Sequence, residues 1–157
     1  MEYLRRGNSG GAGGRCVFCV PEESRNDPER LVLGIYPHTI AICNLYPYNN
    51  GHVLVAPRRH VASLPLLSKA ELAELISLVS LGTKALEEEY SPQGFNVGMN
   101  LGKAAGAGID DHLHMHIVPR WGGDTNFMTV VQSTRVLPES LAETHARLST
   151  RFMSLKP

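Results

Sequence analysis

The chain has 157 residues, of which 43% are hydrophobic and 19% are charged, enough for one ordinary core and too few for two comfortable domains. Its 15 basic residues balance 15 acidic ones, so no global positive field would attract nucleic acid. The sequence holds neither an apolar run long enough to span a bilayer nor the apolar stretch of a secretion signal, and we expect a cytoplasmic protein with neither a membrane nor a nucleic-acid partner.

The first elements in chain order are a linker, three strands and a helix. Residues 1–14 contain GNSGGAGG and predict a flexible N-terminal segment ahead of a single domain over residues 15–157, including a C-terminal extension. Short apolar and β-branched runs at 31–35, 38–45 and 52–56 predict consecutive antiparallel strands. A capping box of Ser68 and Glu71, followed by apolar residues at helical spacing, predicts one long helix over about 68–90.

The later elements complete an α+β pattern. FNVGMN at 95–100 predicts a strand, and Leu137 with Pro138 predicts the start of a C-terminal helix that reaches about Phe152. We expect Glu87–Glu89 to form a solvated face and His145 to lie on the surface. The whole predicts an α+β fold with a mainly antiparallel sheet of about five strands, one long helix and a C-terminal helix.

The segment DHLHMHIVPR, residues 111–120, carries three of the seven histidines. Histidine alternates with apolar residues at a period of two, which predicts a strand with His112, His114 and His116 on one face. Each imidazole brings two ring nitrogens that need hydrogen-bond partners, so the row favours a site over a core. A solvated edge strand and a metal cluster of all three histidines are the alternatives, although one flat strand does not by itself close a tetrahedron.

A row of imidazoles can perform covalent chemistry on a phosphorus atom. Imidazole titrates near a pKa of about 6.5 and is therefore largely neutral and nucleophilic in the cell. Attack on a nucleotide anhydride would give a phosphoramidate, which is reactive enough to pass its phosphoryl group to water or phosphate. Two displacements would then replace one difficult step.

The segment HLHMHIV, residues 112–118, resembles the His-φ-His-φ-His-φ-φ signature of the histidine triad (HIT) superfamily of nucleotidyl hydrolases and transferases. Four other segments are similar to segments of that family: CVFC at 16–19, NLYPYNNGHVLVAPRRH at 44–60, FNVGMNLG at 95–102 and VPRWGGDTNF at 118–127. The resemblance covers about residues 15–130. Within the superfamily, the chain looks most like the bacterial branch related to diadenosine polyphosphate hydrolases and phosphorylases, of ATP adenylyltransferase type.

The resemblance implies an α+β HIT-like fold, a homodimer whose two sheets continue across the interface, and a role for each histidine of the site. His114 would be the nucleophile that forms a covalent nucleoside-5′-monophosphate intermediate. His116 would hydrogen-bond the transferred phosphate, and His52 would complete the catalytic set.

Substrate-binding positions follow from the same resemblance. Asn100 would contact phosphate, and Asn44 and Asn96 would contact ribose or phosphate. A loop with exposed backbone N–H groups would cradle phosphate oxygens; its residues include Lys103, Gly106 and Gly108. Many relatives carry Gln, Ser or Thr within four residues before the triad, where this chain has Gly108 and Ile109, so backbone amides would have to assist the leaving group.

The CxxC motif of Cys16 and Cys19 fits zinc binding, redox chemistry or two ordinary free cysteines. No βαβ context follows it, which disfavours a thioredoxin-like role. In zinc-containing relatives the matching positions of His60 and His112 complete a Cys2His2 site. Such a closed tetrahedral set leaves no open position, so Zn²⁺ would be structural and would hold the segment that carries His114.

We therefore expect an enzyme that cleaves dinucleoside polyphosphates, such as diadenosine tetraphosphate, through a nucleotidyl-histidine intermediate. Mg²⁺ would at most accompany the polyphosphate, since no carboxylate cluster indicates a metal-activated water. Two alternatives stay open. One is a purine nucleoside phosphoramidate hydrolase, and the other is a non-catalytic, zinc-stabilised nucleotide-binding module.

Overall fold

The computed structural model describes residues 16–105, 112–124 and 139–157. The predicted flexible segment 1–14, the loop residues Gly106 and Gly108, and the predicted helix start at Leu137 and Pro138 lie outside the described residues.

Within the described residues, five strands form one antiparallel sheet in the order β1-β2-β3-β5-β4. They are β1 (Val32–Ile35), β2 (Thr39–Cys43), β3 (Val53–Pro57), β4 (Gly94–Gly98) and β5 (Met115–Arg120). The described helices are α1 (Lys69–Tyr90) and α2 (Leu141–Met153), with short 3-10 turns at Glu22–Ser24, Leu64–Leu66 and Lys103–Ala105. The predicted α+β fold is confirmed.

At β1, β2 and β3 both faces of the sheet are buried, each against a different part of the chain. Because side chains alternate along a strand, Val53 and Val55 of β3 join the core under the two helices, whereas Leu54 and Ala56 point to the opposite face. That opposite face packs around Phe18, which is 1% exposed. The segment with the two cysteines therefore covers the face that the helices leave open.

Capping boxes fix the start of both helices. Ser68 and Glu71 exchange the two hydrogen bonds of a capping box at α1, as predicted. Ser140 and Glu143 form a second box at α2. Among the described residues, the helix begins at Leu141, after its N-cap Ser140.

The contacts of α2 correct two predictions about surface residues. His145 is 5% exposed, and its Nε2 lies 2.9 Å from the carbonyl oxygen of Val32, because α2 packs against β1. Glu89 is not a solvated end of α1, since it accepts hydrogen bonds from Arg147 at 2.8 Å and from Arg151 at 2.6 Å. The prediction was wrong for His145 and for Glu89, whereas Glu87 and Glu88 are exposed as predicted. Both errors have one cause, because the pairing of a helix with distant chain segments leaves no signal in local spacing.

Candidate active site

The register of β3 against β5 brings two histidines together. Leu54 lies opposite His116, and His52, two residues before Leu54, shares its face of the sheet. Nε2 of His52 lies 3.0 Å from Nδ1 of His116. The two residues are 64 positions apart in sequence, and the sheet alone makes them neighbours.

The triad itself is not one uniform row. β5 begins at Met115, so the predicted strand is shorter than expected, and His112 and His114 lie in the segment just before it. The ring of His114 meets that of His116 edge-on, with centroids 5.0 Å apart. His112 instead approaches the thiol of Cys16, at 3.2 Å between Nδ1 and Sγ. The three histidines thus divide into a pair and a single.

One hydrogen bond determines the protonation of His114. Its Nδ1 lies 2.8 Å from the backbone carbonyl of His112, and since a carbonyl only accepts, Nδ1 must carry the hydrogen. The neutral ring therefore has its lone pair on Nε2. Burial lowers the pKa of His114 below its ordinary value, which keeps the ring neutral at cellular pH. This is the state that a nucleophilic imidazole requires.

A chain of hydrogen bonds gives His116 the opposite arrangement. The backbone N–H of Tyr48 donates to Nδ1 of His52 at 3.0 Å, so His52 carries its hydrogen on Nε2 and donates it to Nδ1 of His116. His116 then carries its own hydrogen on Nε2. That nitrogen is buried and has no hydrogen-bond partner among the described residues.

Burial, followed by the neighbouring His114, lowers the pKa of His116 to about 4. A buried N–H without a partner costs about 1–3 kcal/mol, a cost that an accepting ligand oxygen would remove. The pair therefore offers a lone pair on one ring and a proton donor on the other, which suits attack on phosphorus with support for a phosphoryl oxygen.

Tyr48 is a residue of the site that the sequence analysis left unassigned. Its ring stacks on His116 at an interplanar angle of 13° and a centroid distance of 5.9 Å, and it also contacts His52 at 4.8 Å. The only signal in the sequence was its position four residues before His52, which did not separate it from Tyr46.

A cleft of about 430 Å³ opens beside His116, over β4 and β5. Its lining includes the predicted Asn96 and Asn100. The predicted Asn44 lies behind His52 instead: its Nδ2 approaches the His52 ring and its Oδ1 accepts the backbone N–H of Tyr46 at 3.0 Å. Lys103, three residues after the cleft residue Asn100, begins a 3-10 turn.

The far end of the cleft is closed by residues that the sequence analysis did not single out. They are Asn49, Arg120 and Asp124. Arg120 is four residues beyond His116 on β5, so its Cα lies roughly 13 Å from that of His116 along the strand.

A second cluster joins the N-terminal segment to the sheet. The ligand atoms of Cys16, Cys19, His60 and His112 all lie within 4.8 Å of one another, as the sequence predicted, and the set could hold a metal ion. Nε2 of His112 lies 2.7 Å from the carbonyl oxygen of Pro57. This bond assigns the hydrogen to Nε2 and leaves Nδ1 bare toward the thiols, the tautomer that a metal ligand needs.

Phe18 lies between the cysteine cluster and His114. Its ring centroid lies 5.0 Å from that of His112 and 5.2 Å from that of His114. The sequence analysis missed it, because its packing partners on the sheet are more than ten residues away in the chain.

The sheet, the paired imidazoles and the cleft beside them define a histidine triad protein, and the chain belongs to the HIT domain family, whose profile matches residues 25–123. It is similar to the AP-4-A phosphorylase of Mycobacterium tuberculosis, with 40% identity over 158 residues that cover 97% of this chain and 80% of that protein. The predicted family is confirmed.

Two solved structures agree with this assignment. A ZN-bound histidine triad family protein from Mycobacterium smegmatis superposes with a TM-score of 0.65 and 25% identity, over 87% of this chain and 92% of that one. The NitFhit protein of Caenorhabditis elegans superposes with a TM-score of 0.64 and 30% identity over 76% of this chain, which spans only 27% of that protein.

Proposed function

We propose that this protein cleaves dinucleoside polyphosphates by nucleotidyl transfer through His114. The observation that carries the proposal is the pair of opposite tautomers, with the lone pair of His114 Nε2 beside the N–H of His116 Nε2. The similarity to AP-4-A phosphorylase supports the substrate class and favours inorganic phosphate as the second acceptor.

In the first step, Nε2 of His114 attacks the α-phosphorus and forms an N–P bond. The P–O bond to the leaving polyphosphate breaks, and the leaving oxygen takes the electron pair. The His114 ring becomes a cation, which is stabilised by the hydrogen bond from its Nδ1–H to the carbonyl oxygen of His112. The N–H of His116 donates to a phosphoryl oxygen as negative charge builds there.

In the second step, phosphate attacks the same phosphorus and the N–P bond breaks. Its electron pair returns to Nε2 of His114, which restores the neutral ring.

Asn96 and Asn100 line the cleft that would hold the substrate, and their contacts with ribose and phosphate remain proposals, as do those of Lys103, Gly106 and Gly108. Asn44 would act through His52.

We further propose that the cysteine cluster binds Zn²⁺ as a structural ion. For tetrahedral zinc, bond lengths of about 2.3 Å to sulfur and 2.0–2.1 Å to nitrogen give an S···N edge of about 3.6 Å. The observed edges are 3.2 Å for Cys16 with His112, 3.4 Å for Cys19 with His60 and 3.7 Å for Cys19 with His112. The residues fit the ion, and the similarity to the ZN-bound M. smegmatis protein supports zinc.

The proposed homodimer rests on family likeness and on the edge position of β4. This strand ends the sheet, and Val97 on it and Leu101 just after it are 44% and 50% exposed. Mg²⁺ bound with the substrate and a cytoplasmic location remain proposals. Among the described residues, no helix has the length and apolar character needed to cross a membrane.

A single turnover of diadenosine tetraphosphate, with and without inorganic phosphate, tests the proposed reaction. We expect ADP and ATP when phosphate is present, because phosphate resolves the intermediate. AMP with ATP under both conditions would show that water, not phosphate, resolves the intermediate. Turnover of adenosine phosphoramidate but not of the tetraphosphate would contradict the proposed substrate class.

A further inference from the structure

Asp124 is the centre of a hydrogen-bond cluster at the end of the cleft away from His116. Its carboxylate binds Arg120 through both oxygens, with Nη2 of Arg120 at 2.8 Å from Oδ1. Oδ2 also accepts Nδ2 of Asn49 at 2.8 Å and the backbone N–H of Trp121 at 3.2 Å. The side chain of Asp124 is only 10% exposed. A carboxylate with this many donors is a fixed point of the structure.

Asn49 connects that fixed point to the histidines. Besides Asp124, its Nδ2 donates to the carbonyl oxygen of Pro119 at 3.0 Å, so one amide group ties the turn before His52 to the end of β5. The residue immediately before it is Tyr48, whose backbone N–H meets Nδ1 of His52. The position of Asn49 therefore fixes the position of that N–H.

The Tyr48 N–H is the donor that selects the tautomer of His52. Asn44 is the other candidate, but its Nδ2 lies 3.2 Å from Nδ1 and 3.4 Å from Nε2 of the same ring. A donor on the in-plane lone pair of Nδ1 would be far more distant from Nε2, so the amide of Asn44 lies off both lone-pair directions.

We propose that Asp124 and Asn49 are positioning residues that, by holding the Tyr48 N–H against His52, make His116 present a proton donor rather than a lone pair to the transferred phosphate. The proposal rests on the proposed function for its catalytic consequence. The hydrogen-bond chain runs from Asp124 through Asn49, the Tyr48 N–H and His52 to Nε2 of His116.

The test combines Asn49→Ala, Asp124→Ala and their double variant, with Asn50→Ala as a control in the same turn. Long-range ¹H–¹⁵N spectra of the imidazoles report which ring nitrogen is protonated, without any substrate. We expect the wild type and Asn50→Ala to show His116 protonated at Nε2, and Asn49→Ala and Asp124→Ala to show a mixture of tautomers. We also expect kcat with diadenosine tetraphosphate to fall about 10- to 100-fold with little change in KM.

Because both residues belong to one path, the double variant should be no less active than the more impaired of the two single variants. An unchanged His116 tautomer in folded Asn49→Ala and Asp124→Ala would overturn the proposal, whatever the activity of these variants. So would a loss confined to KM, which would mean that these residues only bind substrate. If the wild type itself forms no nucleotidyl enzyme, the proposed function fails, while the tautomer measurement still decides the positioning role.

Discussion

A neutral histidine offers a lone pair at one ring nitrogen and a proton donor at the other, and its hydrogen bonds decide which is which. In this protein the carbonyl of His112 leaves the lone pair of His114 on Nε2, whereas the chain from Tyr48 puts the hydrogen of His116 there. The alternation in HLHMHIV predicted a strand with three histidines on one face, but of the three only His116 lies on β5. It could not predict the tautomers, because the Tyr48 N–H and His52 lie in the connection between β2 and β3, far from the triad in sequence.

Replacement of His116 tests its role as a donor. We expect His116→Ala to lower kcat about 10²- to 10³-fold, the usual cost of removing one donor to a developing oxyanion. His116→Gln should recover part of this loss, because its side-chain NH₂ can donate from nearly the same position as Nε2. Equal activities of the two variants would contradict the donor role.

The low pKa of His116 predicts how stability depends on pH. Its folded-state pKa of about 4 lies below the unfolded value, so between about pH 6.5 and 4 the unfolded chain binds more protons and the folded state loses stability as pH falls. Urea unfolding of the wild type and His116→Gln at pH 7 and 5 measures this. The wild type should lose more stability on acidification, and equal losses would contradict a buried neutral ring.

At the scale of elements, periodicity and capping signals predicted the three first strands and α1 closely. They failed where an element depends on a distant partner. β5 starts only at Met115, since His112 turns toward the cysteines, and the packing of α2 buries His145 and pairs Glu89 with Arg147. Cleft residues Asn49 and Asp124 escaped notice for the same reason.

The two capping boxes supply a matched test of helix stability. Glu71 caps α1 and also binds Arg59, which together with Ser68 lowers its pKa to about 2, whereas the exposed Glu143 caps α2 and forms no ion pair with another described residue. We expect Glu71→Gln to cost about 1–2 kcal/mol in unfolding free energy and Glu143→Gln to cost less. The Glu71 contribution is full above about pH 4.5 and is lost as pH falls toward 2. Equal losses for both variants in denaturant titrations at pH 7 would show that the Arg59 pair contributes nothing.

At the scale of the whole molecule, the cysteine cluster holds the segment that covers one face of the sheet. Zinc removal should therefore lower the melting temperature and expose Phe18 with its neighbours on β1 and β2. Hydrogen exchange with and without a chelator measures this, and Cys16→Ser/Cys19→Ser is the control, which should respond to chelator no further. Chelation that leaves both melting temperature and exchange unchanged in a zinc-loaded wild type would contradict a structural ion.

The most direct test of the account is the capture of the covalent intermediate. Wild type and His114→Ala, together with His116→Ala, which keeps the nucleophile, are mixed with diadenosine tetraphosphate in the absence of phosphate, quenched at neutral pH and analysed by mass spectrometry. We predict one added adenylate on His114 in the wild type and in His116→Ala, and none in His114→Ala, whose turnover falls by several orders of magnitude. Turnover that persists in His114→Ala, or an adenylate found on another residue, would contradict nucleophilic catalysis by His114.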